Sequence, residues 1–192
     1  LSFLIQRAIA SKLDIDPTEI DIVEVLAKAG KLGEVCLADE KINGSGFVAD
    51  FYSNFEDYSR RILNGEDLYF KQMLSDEHIE ECDSSCYKCL KTYRNMPYHG
   101  LLDWKLGVAL FRIMVDNTYK AGADGNFDYP ELKGWKDLAR KLLTALNEGF
   151  FRKSDGKLVY ELSETTCGIP YLYDPDKKKM PIFASHPLWE GV

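Results

Sequence analysis

The chain opens on a helical stripe. Phe3, Leu4, Ala8 and Ile9, with Leu13 after them, recur at helical spacing and predict a helix over Ser2–Leu13. Asp14-Ile15-Asp16-Pro17 ends it, because the residue before a proline is pushed out of helical geometry. Apolar–polar alternation over 20–26 then predicts a strand, and Glu34–Asp39 a second. Gly30-Lys31-Leu32-Gly33 between them points to a hairpin. Asn43-Gly44-Ser45-Gly46-Phe47 marks a tight turn or a close backbone approach. Phe51, Phe55, Tyr58 and Ile62 predict one helix over roughly 48–63, stopped by Asn64-Gly65, and 67–79 reads as another short helix.

A helix is predicted over 101–119. Leu102, Leu106, Ala109, Ile113 and Met114 are expected to face inward, and Asp103 lies in the first turn, where a carboxylate is favourable. Another amphipathic helix is predicted over 135–146, closed by Asn147-Glu148-Gly149. The pattern then shortens into expected strands at 157–162, 169–173 and 180–184, with a turn at 174–177. The expected fold class is mixed α/β (α+β): a short-stranded sheet with several packed helices and an inserted structural zinc knuckle. The expected division is 1–120 and 121–192.

Composition narrows the function classes. In 192 residues, 45% are hydrophobic, enough for a packed core. The net charge of -7 argues against a surface that coats DNA generically, although it leaves room for a local basic patch. No run approaches a membrane span, and Leu1-Ser2-Phe3-Leu4-Ile5 lacks the basic leader of a signal peptide. No membrane association is therefore expected, and the cysteine usage fits a reducing, cytoplasmic compartment. The lack of an initiator Met leads us to expect a fragment of a longer protein.

The chemistry concentrates in Cys82-Asp83-Ser84-Ser85-Cys86-Tyr87-Lys88-Cys89 and the residues up to His99. The spacing is C-x3-C-x2-C-x9-H. Thiolates this close turn back onto one ion, and tetrahedral zinc needs four such N or S donors. Cys82, Cys86, Cys89 and His99 are the expected zinc ligands, His99 being favoured because a helix start behind it would hold it rigidly. His78, Cys36 and Cys167 are the alternatives for the fourth position. An iron–sulfur cluster is a competing occupant for the C-x3-C-x2-C element. A closed set of four protein ligands points to a structural ion rather than a catalytic one.

Lys88, Lys91 and Arg94, with Tyr87, Tyr93 and Tyr98, form a basic and aromatic cluster along the same stretch. Such a combination holds a phosphate backbone and stacks a base, or equally packs on its own domain or on a protein partner. We take Lys88, Lys91, Tyr93 and Arg94 as the candidate nucleic-acid or partner-binding residues. Gly44-Ser45-Gly46 before a helix offers backbone N–H groups in the manner of a phosphate site, but lacks a Walker lysine and the third glycine of a dinucleotide fingerprint. Asp39 and Glu40, or the acidic group Glu77, Glu80, Glu81 and Asp83, would be the carboxylates of a metal-dependent nuclease, and a solvated face is the plainer reading. His186 before Pro187-Leu188-Trp189 reads as a packing or docking segment.

Several of these motifs together resemble a known family. The 82–90 stretch, Tyr93-Arg94-Asn95 and His99-Gly100-Leu101-Leu102-Asp103-Trp104 are similar to the MrfA-type zinc-binding domain. That domain occurs at the C-terminus of certain superfamily 2 DNA helicases and in DrmB-like partner proteins of the DISARM phage-defence system. Leu37-Ala38-Asp39 with the Gly-Ser-Gly turn resembles the family's strand and turn, and His186-Pro187-Leu188-Trp189 a segment near the end of the DrmB-like proteins. The resemblance covers roughly residues 1–116 well and the tail weakly. It implies a zinc ion held by Cys82, Cys86 and Cys89, and a DNA helicase as partner, in cis or as a separate subunit, with DNA itself a further candidate. The helicases use four cysteines, and this motif has three. The chain lacks a G-x-x-x-x-G-K-[ST] phosphate loop and an Asp-Glu-x-His box, so the resemblance implies a motor elsewhere.

Overall fold

The first apolar stripe folds as α1 (Ser2–Leu13), which buries Leu4, Ile5, Ala8 and Ile9 and ends at Asp14 in the left-handed region. The computed structural model describes residues 1–25, 34–152, 156–176 and 178–189. The chain divides into two units, Leu1–Asn117 and Thr118–Val192. The fold is mixed α+β.

In the first unit, β1 (Ile20–Val25) pairs antiparallel with β2 (Glu34–Asp39), with Ile20 opposite Asp39 and Ile22 opposite Leu37. The expected Gly30–Gly33 turn lies outside the described residues. The helix expected over 48–63 is two helices, α2 (Phe47–Ser53) and α3 (Phe55–Asn64). Asn54 breaks it: its Nδ2 donates back to the Asp50 carbonyl at 3.1 Å and carboxylate at 2.7 Å while its own backbone leaves helical geometry. This is the side-chain competition that makes Asn a poor helix-interior residue. Gly65 ends α3 with φ of 62°, a conformation that favours glycine.

The helix expected over 67–79 also divides, into α4 (Leu68–Met73) and α5 (Asp76–Glu81). Asp67 caps the first by accepting from Phe70 N, and Ser75 caps the second by accepting from His78 N. The next helix, α6 (Trp104–Val115), is shorter than expected at both ends. Asp103 sits before it as the cap, accepting from Leu106 N at 2.9 Å. Its inward stripe is Trp104, Val108 and Phe111, at i, i+4 and i+7. Ile113 and Met114, expected inside, lie off that stripe and are exposed. The core of this unit joins α1, α3, α4 and α6 through Leu4, Ile9, Tyr58, Phe70 and Trp104, and includes Cys82 and Cys89.

The second unit is built on α7 (Trp135–Phe150), which runs through the expected stop at Asn147. Asn147 is buried and donates from Nδ2 to the Tyr160 carbonyl at 2.8 Å, so a polar residue that read as a terminator anchors the helix instead. The sheet has the order β3 (Glu161–Glu164), β4 (Pro170–Tyr173), β5 (Ile182–Phe183), all antiparallel. The strand expected over 157–162 is therefore displaced toward the C-terminus. Leu143, Tyr160 and Leu172 form its small core. His186 is buried, with the Trp135 and Trp189 rings beside it, in keeping with a packing role.

Candidate metal centre

The site is assembled where α4 gives way to α5. Met73 closes α4, Ser75 starts α5, and His78 lies in the first turn, buried against the Trp104 ring at 5.3 Å between centroids. His78 Nδ1 lies 2.7 Å from the Met73 carbonyl oxygen. A carbonyl only accepts, so Nδ1 carries the proton and Nε2 presents a lone pair. That lone pair lies 3.4 Å from Cys86 Sγ. A ring nitrogen held by a backbone carbonyl while the other faces a ligand position is the usual arrangement of a metal-bound histidine. Burial lowers the His78 pKa, which favours the neutral, ligating form.

Three thiols complete the group. Cys82 ends α5, its N–H bonding the His78 carbonyl at 2.9 Å. Cys86 to Cys89 form a tight turn in which Cys86 N donates to Cys89 Sγ at 3.1 Å and Lys91 N to the Cys86 carbonyl at 3.0 Å. The ligand atoms of His78, Cys82, Cys86 and Cys89 all lie within 4.8 Å of one another. Cys86 and Cys89 Sγ are 3.7 Å apart, and Cys82 and Cys89 Sγ 3.9 Å. A tetrahedron with metal–sulfur bonds of about 2.3 Å and metal–nitrogen bonds of about 2.0 Å has S–S edges of about 3.8 Å and N–S edges of about 3.5 Å. The observed separations match those edges and are far longer than a disulfide bond. The cluster is geometrically suitable for a metal ion.

Its electrostatics favour a cation. Burial, then the neighbouring Cys89 charge, pushes the Cys82 thiol well up, and burial also raises Cys89. For Cys86, burial acts upward too, but backbone N–H donation from Lys88 and the adjoining thiols outweighs it, and its pKa is lowered. Three sulfurs so close, two of them buried and that of Cys86 half-buried, cannot all ionise against each other, and a bound cation removes that conflict.

The surroundings pin the group to the core. Tyr69 on α4 donates its hydroxyl to the Cys89 carbonyl at 2.5 Å. Trp104 on α6 donates from Nε1 to the Cys82 carbonyl at 3.2 Å and from its backbone to the Ser84 carbonyl at 2.8 Å.

The expected fourth ligand, His99, is placed elsewhere. Its Nε2 lies 2.9 Å from the Thr92 carbonyl and 3.0 Å from Asn95 Oδ1, and its ring stands edge-on to Tyr87. With two acceptors on it, Nε2 is a donor and has no lone pair for a metal. Cys36 is exposed on β2, and Cys167 is exposed in the second unit. His78 takes the fourth place because it precedes Cys82 by one helical turn on α5, so both side chains share a face. That H-x3-C spacing was the available signal. The segment that leads from Cys89 to His99 is held by Asn95: its Nδ2 donates to the Leu90 carbonyl at 2.8 Å, and its Oδ1 accepts from Thr92 N at 2.8 Å.

The basic and aromatic residues are divided among different neighbours. Lys88 is paired with Glu81 at 2.9 Å, Lys91 is half-buried, and Tyr93 and Arg94 are exposed. Tyr98 packs on Phe3, 5.5 Å between centroids. Glu77, Glu80 and Asp83 are exposed, in keeping with a solvated face.

The Gly-Ser-Gly turn is already filled. Asp39 Oδ2 accepts from the backbone N–H of Ser45 at 2.8 Å, Gly46 at 2.5 Å and Phe47 at 3.2 Å, and Oδ1 accepts from Val48 at 3.0 Å. Burial acts to raise its pKa, but these four bonds outweigh it and hold the carboxyl below its usual range. The donors that read as a phosphate cradle serve the protein's own carboxylate, which is in turn spent as a helix cap rather than as a nuclease ligand.

No helix among the described residues is long and apolar enough to cross a membrane. Set beside known proteins, the chain finds no match: no family model fits it, and neither a curated protein nor a solved structure matches it significantly.

Proposed function

We propose that this chain is a non-catalytic, zinc-binding accessory module of a DNA helicase or helicase complex. It would work in the cytoplasm, in bacterial phage defence or DNA repair, and support binding of DNA or of a partner subunit. The observation that carries the reading is the His78, Cys82, Cys86 and Cys89 group. A three-thiolate, one-imidazole set suits zinc among the common divalent ions, and four protein donors leave no open position for a reacting water. Zinc there would be a cross-link joining α5 to the Cys86–Cys89 turn, and such sites contribute folding free energy on the order of 10 kcal/mol. The helicase and defence context comes from the motif resemblance at 82–104, and the missing phosphate loop assigns translocation to another part of the chain or to a partner.

The metal half is tested by elemental analysis of the purified chain. One zinc per chain is expected, lost in Cys86→Ser and His78→Ala and kept in His99→Ala. A metal-free chain that folds normally in chelator ends the reading, and iron would turn it toward redox chemistry. The helicase half is tested by cross-linking and mass spectrometry of the native complex. A DNA helicase motor is expected among the cross-linked chains, and its absence refutes the association.

A further inference from the structure

A cleft of about 470 Å³ lies in the first unit between α1, β1 and the Thr92–Asn95 segment. Its floor includes Phe3, Gln6 and Arg7. One side is the outer edge of β1, the edge that β2 does not cover.

The register shows which backbone groups face the cleft. Glu40 N donates to the Glu19 carbonyl at 2.9 Å, so Glu19 and Glu40 are a hydrogen-bonded pair of the antiparallel ladder. Alternation then makes Asp21 and Val23 the next residues bonded to β2, and turns the N–H and C=O of Ile20 and Ile22 outward. Ile20 is satisfied: its N–H reaches the Pro17 carbonyl, and its carbonyl accepts from Gln6 Nε2 at 2.7 Å. Among the described residues, nothing takes the outward groups of Ile22. An open strand edge beside a groove is a template for another extended chain.

The charge around that edge selects the chain. Arg7 is engaged with the Lys91 carbonyl at 3.5 Å and lies over the Tyr69 ring, and Asp16 adds a carboxyl, held below its usual range first by hydrogen bonds from Thr18 and further by the Arg94 and Arg7 charges. Asp21 and Glu40 are exposed, and no cation among the described residues pairs with them. Tyr93, 81% exposed, and Tyr98 line the same cleft. Exposed carboxylates and aromatic rings in one cleft suit a lysine or arginine side chain, and the carboxylates repel a phosphate backbone.

We infer that this cleft binds an extended, basic polypeptide segment of a partner protein, which adds to the β1 edge at Ile22 and places its cations against Asp21 and Glu40. The inference rests on the accessory-module reading and names the chemistry of its partner. The wall carrying Tyr93 is part of the loop that Asn95 fastens to Leu90, directly after Cys89, so the cleft is built on the metal centre.

The test is an ¹⁵N NMR titration of the full metal-loaded chain with a synthetic nonapeptide alternating Lys and Val. The same peptide with Glu for Lys and a single-stranded oligothymidine serve as the other probes. Saturable shifts at the Ile22 amide are expected with the basic peptide only. Reversing both charges in Asp21→Lys/Glu40→Lys weakens binding about tenfold or more, from two lost and inverted surface pairs. Ile22→Pro removes an outward N–H that the hairpin does not use, and abolishes the peptide-induced shifts at the neighbouring Asp21 and Val23 amides while the spectrum without peptide stays otherwise in place. Binding of the oligothymidine instead, no binding of the basic peptide, or binding indifferent to both variants overturns the inference. Metal content is measured on the same samples: a zinc-loaded chain that ignores the peptide sinks this inference alone, while a metal-free chain sinks the reading beneath it.

Discussion

Asp39→Ala is the perturbation whose outcome follows most directly from the geometry. The carboxylate accepts four backbone N–H groups at the start of α2, two of them exposed and two, those of Phe47 and Val48, half-buried. On truncation, water replaces the carboxylate at Ser45 and Gly46 with little penalty. At Phe47 and Val48 it does so less well. A lost helix cap costs about 0.5–2 kcal/mol, and a hydrogen bond to a charged group about 1.5–3 kcal/mol. With partial solvent access, about 2 kcal/mol is expected, or about 6 °C in Tm for a chain of this size. Asp39→Asn keeps one acceptor oxygen and loses the charge, so it falls about half-way. The pH dependence has a definite sign. The folded-state pKa is depressed, so the stabilisation is fully present above the ordinary carboxylate value of about 3.9. It disappears as pH falls through the lower folded value. Urea melts of wild type and variant, compared as a difference at each pH, measure it. A deficit under about 0.5 kcal/mol at pH 7, typical of an ordinary surface site, or one that persists unchanged into strong acid, refutes the assignment of Asp39 as the cap.

Chelator should lower the Tm of His99→Ala as much as that of wild type and leave His78→Ala nearly unaffected, because only His78 stands with the three thiols; scanning calorimetry with and without chelator decides it. His99→Ala alone should cost about 1 kcal/mol, the worth of one shared hydrogen bond. Asn95→Ala removes buried bonds to Leu90 and Thr92 and should cost about 2–4 kcal/mol, with faster amide exchange at Thr92. Tyr58→Phe, read by urea denaturation, should cost about 1 kcal/mol by deleting the 2.7 Å bond to Asp50. That hydroxyl is the main cause of the lowered Asp50 pKa, so the loss should shrink as pH falls through it.

Sequence and structure part at identifiable places. α1 was legible because its stripe and its stop at Pro17 are both local. The three cysteines were legible because ligand spacing is a chemical constraint. The fourth member of the cluster, His78, was ranked below His99 by weighing a helix start behind His99 over the helical turn that links His78 to Cys82. Periodicity missed the breaks at Asn54 and Ser75, since a side chain that bonds its own backbone leaves the apolar pattern intact. It also missed Asp39, whose partners lie six to nine residues away across a turn whose glycines looked like the whole motif. Asn147 read as a stop because its buried bond to Tyr160 depends on a segment folded back from beyond the helix.

With His78 in place of His99, the donor set draws into a shorter stretch of chain. All four donors fall between His78 and Cys89, so the coordination group closes over a short stretch at small entropic cost. A chain leaving the ribosome therefore holds a complete metal-binding sequence before α6 has been synthesised. Trp104, whose indole and backbone bond the Cys82 and Ser84 carbonyls, would then meet a surface that a bound metal has already shaped. A metal held by this group would belong to the early, local phase of folding, with the helix that covers the site fitted to it afterwards.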